Sequence, residues 1–67
     1  MILMCESTVY TTDGTKIMED AISIKIDGDT IDLEDILFNK KQITGRIVEI
    51  DLDKHEIYIK IKRKGNF

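Results

Sequence analysis

Ala21-Ile22-Ser23-Ile24-Lys25-Ile26-Asp27-Gly28-Asp29-Thr30-Ile31-Asp32-Leu33-Glu34 is the stretch that decides the architecture of this 67-residue chain. Isoleucine recurs at every second position from Ile22 to Ile26. Successive side chains of a strand point to opposite faces, so this spacing predicts one apolar face and one carrying Ser23, Lys25 and Asp27. Gly28-Asp29 has the chemistry of a two-residue hairpin turn, and the alternation resumes in Thr30-Ile31-Asp32-Leu33-Glu34. The segment reads as a β-hairpin.

Working outward, a second hairpin runs from Gly45-Arg46-Ile47-Val48-Glu49-Ile50-Asp51 through Leu52-Asp53-Lys54-His55 into Glu56-Ile57-Tyr58-Ile59-Lys60-Ile61-Lys62. Ile57, Ile59 and Ile61 share one face, and the Asp-rich connection suits a type I turn. Upstream, Glu6-Ser7-Thr8-Val9-Tyr10-Thr11 is rich in β-branched and aromatic residues and is broken by Asp13-Gly14. Lys16-Ile17-Met18-Glu19-Asp20 predicts a short strand that bends into the next. Leu33, Ile36 and Leu37 have helical i, i+3, i+4 spacing, but the segment is too short for a stable helix. It reads as a strand end and a tight turn, followed by a further short strand at Lys40-Lys41-Gln42-Ile43-Thr44. The expected fold is all-β: a single domain over residues 1–67, built as a small antiparallel barrel of the SH3-like or Sm-like kind.

Hydrophobic residues make up 42% of the chain and charged residues 34%, the balance of a globular rather than a disordered protein. A domain of this size buries only about 60% of the surface its unfolded chain exposes. Such domains usually need a staple, and the one cysteine cannot form an intrachain disulfide. A homodimer is the expectation. No apolar run approaches the roughly 20 residues of a membrane span. Met1-Ile2-Leu3-Met4 lacks the positive start of a secretory signal, so the reading expects a cytoplasmic, reducing setting and no membrane partner. A net charge of −3 argues against a general nucleic-acid binder.

The chemistry-bearing residues are few. No nucleophile, base and orienting acid can be assembled, so the chain does not read as an enzyme. Glu19, Asp20, Glu34, Asp35, Asp51 and Asp53 come in close pairs, and neighbours on a strand point apart rather than converge. Gly14, Gly28 and Gly45 match no phosphate-cradling pattern and read as turns or bulges. Lys60-Ile61-Lys62-Arg63-Lys64 is the main basic cluster, with Lys40-Lys41 a second patch. Alternation puts Lys60, Lys62 and Lys64 on one exposed face, where Tyr10 or Tyr58 could stack on a base. The simpler reading is a charged edge strand that resists aggregation. His55, the single histidine, reads as a solvated turn residue, with a metal-ligand role as its second reading. Cys5 by itself reads as a small apolar strand residue. If translation begins at Met4, making Met1-Ile2-Leu3 a flexible or non-native extension, removal of Met4 leaves Cys5 with an α-amine beside its thiol. That donor set suits Ni(II) or Cu(II) better than Mg(II) or Ca(II).

The string Met4-Cys5-Glu6-Ser7-Thr8-Val9-Tyr10, then Met18-Glu19-Asp20, Gly28-Asp29, Gly45-Arg46-Ile47, Glu49-Ile50-Asp51-Leu52 and His55-Glu56-Ile57 resembles the CooT family of small nickel-binding proteins. The resemblance runs from Met4 to about Ile59. It implies a dimeric β protein that binds Ni(II) through the cysteine after the initiator methionine, which is Cys5 here. It further implies a metallochaperone role in delivering or storing nickel for a client such as nickel-containing carbon monoxide dehydrogenase. No ligand role passes to His55 from the family. Relatives are also labelled predicted RNA-binding proteins, so the alternative is a small RNA-binding barrel using Lys60, Lys62, Arg63 and Lys64. The basic tail at residues 63–67 lies beyond the resemblance.

Overall fold

The computed structural model describes residues 6–62. Five strands follow one another: β1 (Ser7–Thr11), β2 (Lys16–Asp27), β3 (Thr30–Asp35), β4 (Lys40–Asp51) and β5 (Glu56–Ile61). They close into a barrel in chain order. Consecutive strands pair antiparallel, and the ring closes through a parallel pairing of β1 with β5. The expected all-β barrel is therefore present. Its antiparallel ladder holds for every consecutive pair and gives way at the closure.

β2 and β4 are each 12 residues long and serve two neighbours apiece. β2 pairs with β1 through Lys16, Met18 and Ala21, then with β3 from Ala21 to Asp27. β4 pairs with β3 from Lys40 to Thr44, then with β5 from Gly45 to Asp51. The separate strand expected at Lys40–Thr44 is thus the first half of one long strand. Gly45 does not break it. An added Cβ there would collide with the Lys60 carbonyl oxygen and lie 3.2 Å from Ile61 Cα, so glycine permits the close approach of β4 and β5.

The first hairpin forms as its sequence predicts, with Asp27 opposite Thr30 and Gly28 at φ 62° in the turn. Its apolar face is less regular than the alternation implies. Ala21 is buried, whereas Ile22 and Ile26 are 46% and 59% exposed. For Ile22 the cause is local: Asp20 is left-handed at φ 56° and the β2–β3 register shifts between Ala21 and Ser23, whereas Ile26 lies at the hairpin end of β2 beside the Gly28 turn. A bulge puts an extra residue into the strand and resets which side chains face inward. Ile24 alone of the three packs on the core.

That core consists of Val9, Met18, Ala21, Ile31, Leu33, Ile57 and Ile59, drawn from β1, β2, β3 and β5, with Ile43 and Ile47 of β4 packed against it. Val9, Ile31, Leu33 and Ile59 are the largest fully buried side chains, each contributing about 1.5–3 kcal/mol through removal from water. Ile59→Ala is expected to cost roughly 2–5 kcal/mol, a serious loss for a domain this small. Gly45→Ala is expected to cost roughly 1–3 kcal/mol by overpacking, although it removes no contact. Urea unfolding followed by far-ultraviolet circular dichroism measures both.

Candidate functional site

The parallel closure decides which chemistry-bearing residues meet. Thr8 lies opposite Glu56, and the Thr8 N–H donates to the His55 carbonyl at 2.9 Å. His55 itself is exposed and left-handed, at φ 56°. Its connection is organised by Asp51, whose Oδ1 accepts the Asp53 N–H at 3.1 Å and the Lys54 N–H at 3.0 Å. The last turn of the barrel is thereby fastened to the start of β1. Cys5 lies outside the described residues, but it precedes Thr8 by three residues, a span of at most about 10 Å of extended chain. Among the described residues, no group of three or more His, Cys, Asp or Glu side chains is placed to hold a metal ion.

On the other side of β1, Ser7 pairs with Ala21, which pairs in turn with Asp35. Asp35 builds the β3–β4 turn. Its Oδ1 accepts the Leu37 and Asn39 N–H groups, both at 2.9 Å, and its Oδ2 accepts the Asn39 side-chain amide at 3.0 Å. The Asn39 amide, with these backbone donors, holds the Asp35 carboxyl below its usual range.

The basic residues fall elsewhere. Lys60 and Lys62 are exposed, as alternation implies, while Arg63 and Lys64 lie outside the described residues. Lys62 Nζ donates to Asp29 Oδ2 at 2.6 Å in a solvated pair that contributes little stability. Lys62, with a smaller contribution from Arg46, holds the Asp29 carboxyl low. The β4–β5 register sets Arg46 directly opposite Lys60, and both line an open cleft of about 330 Å³ with Asp29 and Lys62. Sequence reasoning missed Arg46, because only the register between strands reveals that it joins the cluster.

Tyr10 and Tyr58 also become neighbours through the closure. They face each other across β1 and β5, and their rings stack with centroids 5.4 Å apart at 21°. Each therefore gives one ring face to the other. The Tyr58 hydroxyl donates to Glu56 Oε1 at 2.8 Å. That hydrogen bond, with the Glu56 charge beside it, pushes the phenol up to about 12.

The fold and the geometry define a small β-barrel module whose chemistry is carried at its connections and outer faces, among the described residues, rather than in an interior cavity. The chain belongs to the CooT family: the family model for the CO dehydrogenase accessory protein CooT matches residues 4–60. An uncharacterized protein of Methanothermobacter thermautotrophicus is 48% identical over 56 residues, covering 84% of this chain and 88% of that protein. One from Methanocaldococcus jannaschii is 34% identical over 56 residues, covering 84% and 96%. One from Archaeoglobus fulgidus is 38% identical over 42 residues, covering 63% and 93%. Among the described residues, no helix is long and apolar enough to cross a membrane.

The Tyr58–Glu56 contact makes a testable alkaline signature. The phenol's folded value lies above its ordinary 10, so the neutral form is favoured in the fold. Its stabilisation is present in full below pH 10 and is lost as pH rises through about 12. Phenolate absorbance is expected to show a tyrosine ionising near 12, and Glu56→Ala to bring that titration back toward 10.

Proposed function

We propose that the protein is a non-enzymatic accessory protein that binds Ni(II) through Cys5 and carries it as cargo for carbon monoxide dehydrogenase. The observation that supports this reading most is where the family match begins: at Met4, immediately before the only cysteine of the chain. A thiolate, with neighbouring amide nitrogens, is a fitting donor set for nickel. In this reading a complete site draws on the Cys5 segment and on a second chain, because one thiolate and its neighbouring amides leave coordination positions to fill. A homodimer joining two Cys5 thiolates at one ion meets that need and gives so small a domain added stability. His55, hydrogen-bonded through its carbonyl to Thr8, is the candidate side chain of the barrel for a further donor. The setting proposed is the cytoplasm, where a thiol stays reduced.

Titration of Ni(II) into protein beginning at Cys5 is expected to produce thiolate-to-metal charge-transfer absorption that saturates at one ion per two chains. Cys5→Ser should abolish it; undiminished affinity in that variant sinks the assignment. Protein beginning at Met1 keeps the thiol but lacks the amine at Cys5, and should bind more weakly. A ligand thiol must lose its proton, so uptake should release protons and tighten as pH rises through the thiol range, about 8.5.

A second reading, a small RNA-binding barrel using Lys60, Lys62, Arg63 and Lys64, is supported by the opposition of Arg46 and Lys60 across β4 and β5. Like charges directly opposite destabilise a sheet, and an anion between them would relieve the repulsion. This reading requires single-stranded RNA affinity that falls steeply with salt and drops when Arg46 and Lys60 are changed to alanine. Affinity insensitive to both would eliminate it.

A further inference from the structure

We propose that Leu37 and Phe38, at the tip of the β3–β4 turn, form an apolar knob that docks the protein onto the enzyme receiving its metal. This inference rests on the accessory reading above and adds the contact surface. Leu37 is 75% exposed and Phe38 73%, and they are consecutive. Phe38 is left-handed, at φ 69°, where a turn ordinarily places glycine or asparagine. A bulky residue is strained there and persists only where its surroundings over-determine the conformation.

The surroundings do so. Besides the three hydrogen bonds to the Asp35 carboxylate, the Phe38 N–H donates to the Asp35 carbonyl at 2.9 Å and the Asp35 N–H to the Asn39 carbonyl at 3.0 Å. The Ile36 N–H donates to the carbonyl of Asp20, itself left-handed, at 3.0 Å. The turn is therefore tightly hydrogen-bonded and anchored to β2, and the two large apolar side chains on it are about three-quarters exposed. A rigid aromatic and aliphatic pair is the kind of anchor that fills a pocket on a partner at little ordering cost.

The occupant follows from shape, charge and position. A projecting tip fits a concave apolar pocket. Lys40 and Lys41 follow it after Asn39 and are exposed, Lys41 Nζ donating to the Ile17 carbonyl at 3.0 Å, so an acidic rim would complement the two ammonium groups. The turn's root, Asp35, and the start of β1, Ser7, flank Ala21 on its two sides, two strand spacings or roughly 10 Å apart. Cys5 precedes Ser7 by two residues, a span of at most about 7 Å of extended chain, so the proposal brings the enzyme to the same side of the barrel as the start of β1. A lipid surface fits less well, because two side chains bury little area and the chain carries a net charge of −3.

The test is a binding titration of the full chain against purified, nickel-depleted carbon monoxide dehydrogenase, with Phe38→Gly, Leu37→Ser and, as an exposed apolar control remote from the tip, Ile26→Ser. Phe38→Gly and Leu37→Ser are expected to weaken binding at least tenfold and Ile26→Ser to leave it unchanged, all three retaining parental Ni(II) uptake. Phe38→Gly relieves the backbone strain, so its melting temperature should equal or exceed the parent's, separating lost docking from lost folding. Equal binding by parent and tip variants overturns this inference and leaves the accessory reading standing. No binding by the parent overturns the accessory reading and the inference together. Loss on Phe38→Gly of binding to phosphatidylcholine–phosphatidylserine vesicles, or of self-association, reassigns the tip to a membrane or to a second copy and overturns the inference as stated.

Discussion

Five strands joined in chain order by short connections cannot close a ring that is antiparallel throughout. Each connection reverses the direction, so the first and fifth strands run the same way and their pairing must be parallel. Parallel neighbours normally need a long crossover to link them. Here none is needed, because β1 and β5 are the first and last strands and nothing joins them. The odd strand count therefore closes the barrel without a crossover and without open edges at β1 or β5. It also dictates the pairings that matter most: Val9 with Ile57 inside, Tyr10 with Tyr58 outside, and Thr8 beside the His55 connection.

The same constraint explains how a short chain encloses a core. β1, β3 and β5 have only five or six residues each, so the ring is completed by β2 and β4, which bend and pair with different neighbours along their two halves. The registers shift near Ala21 in β2 and between Ile47 and Glu49 in β4, and bulges of this kind bend a strand. Gly45, just before the second of these, lets β4 press against the β5 backbone. The cost is visible on the surface. Ile22 and Val48, each within a shifted stretch of register, are about half exposed, so the alternation that builds the strands is spent partly on curvature.

Strand identity was legible in the sequence because it rests on neighbours: isoleucine at every second position, Gly28-Asp29 between two alternating runs, Asp13-Gly14 after a β-branched one. Curvature was not. Gly45 carries the same signal whether it ends a strand or permits a close approach, and only the opposing Lys60 backbone distinguishes the two. The left-handed conformation of Phe38 had no local signature either, and at Asp20 and His55 the residue type gave only a weak one. The meeting of His55 with Thr8, and of Arg46 with Lys60, depends on registers between segments remote in the chain or on how a bulge resets them. Cys5 stood out through its place in the Met4 to Tyr10 string, not through any contact that the barrel makes.

Among the described residues, seven buried side chains form the core of this barrel, and no polar side chain is buried with them. The chemistry-bearing side chains described lie instead on the connections and outer faces. Two of the three left-handed non-glycine positions, Phe38 and His55, sit in connections, each beside an aspartate, Asp35 or Asp51, that satisfies turn amides; the third, Asp20, lies in β2. Glycine at either position would relax the backbone and leave the hydrogen bonds intact. Phe38 thus carries backbone strain that glycine would not. On either side of the start of β1, one connection thus exposes Leu37 and Phe38 and the other the imidazole of His55.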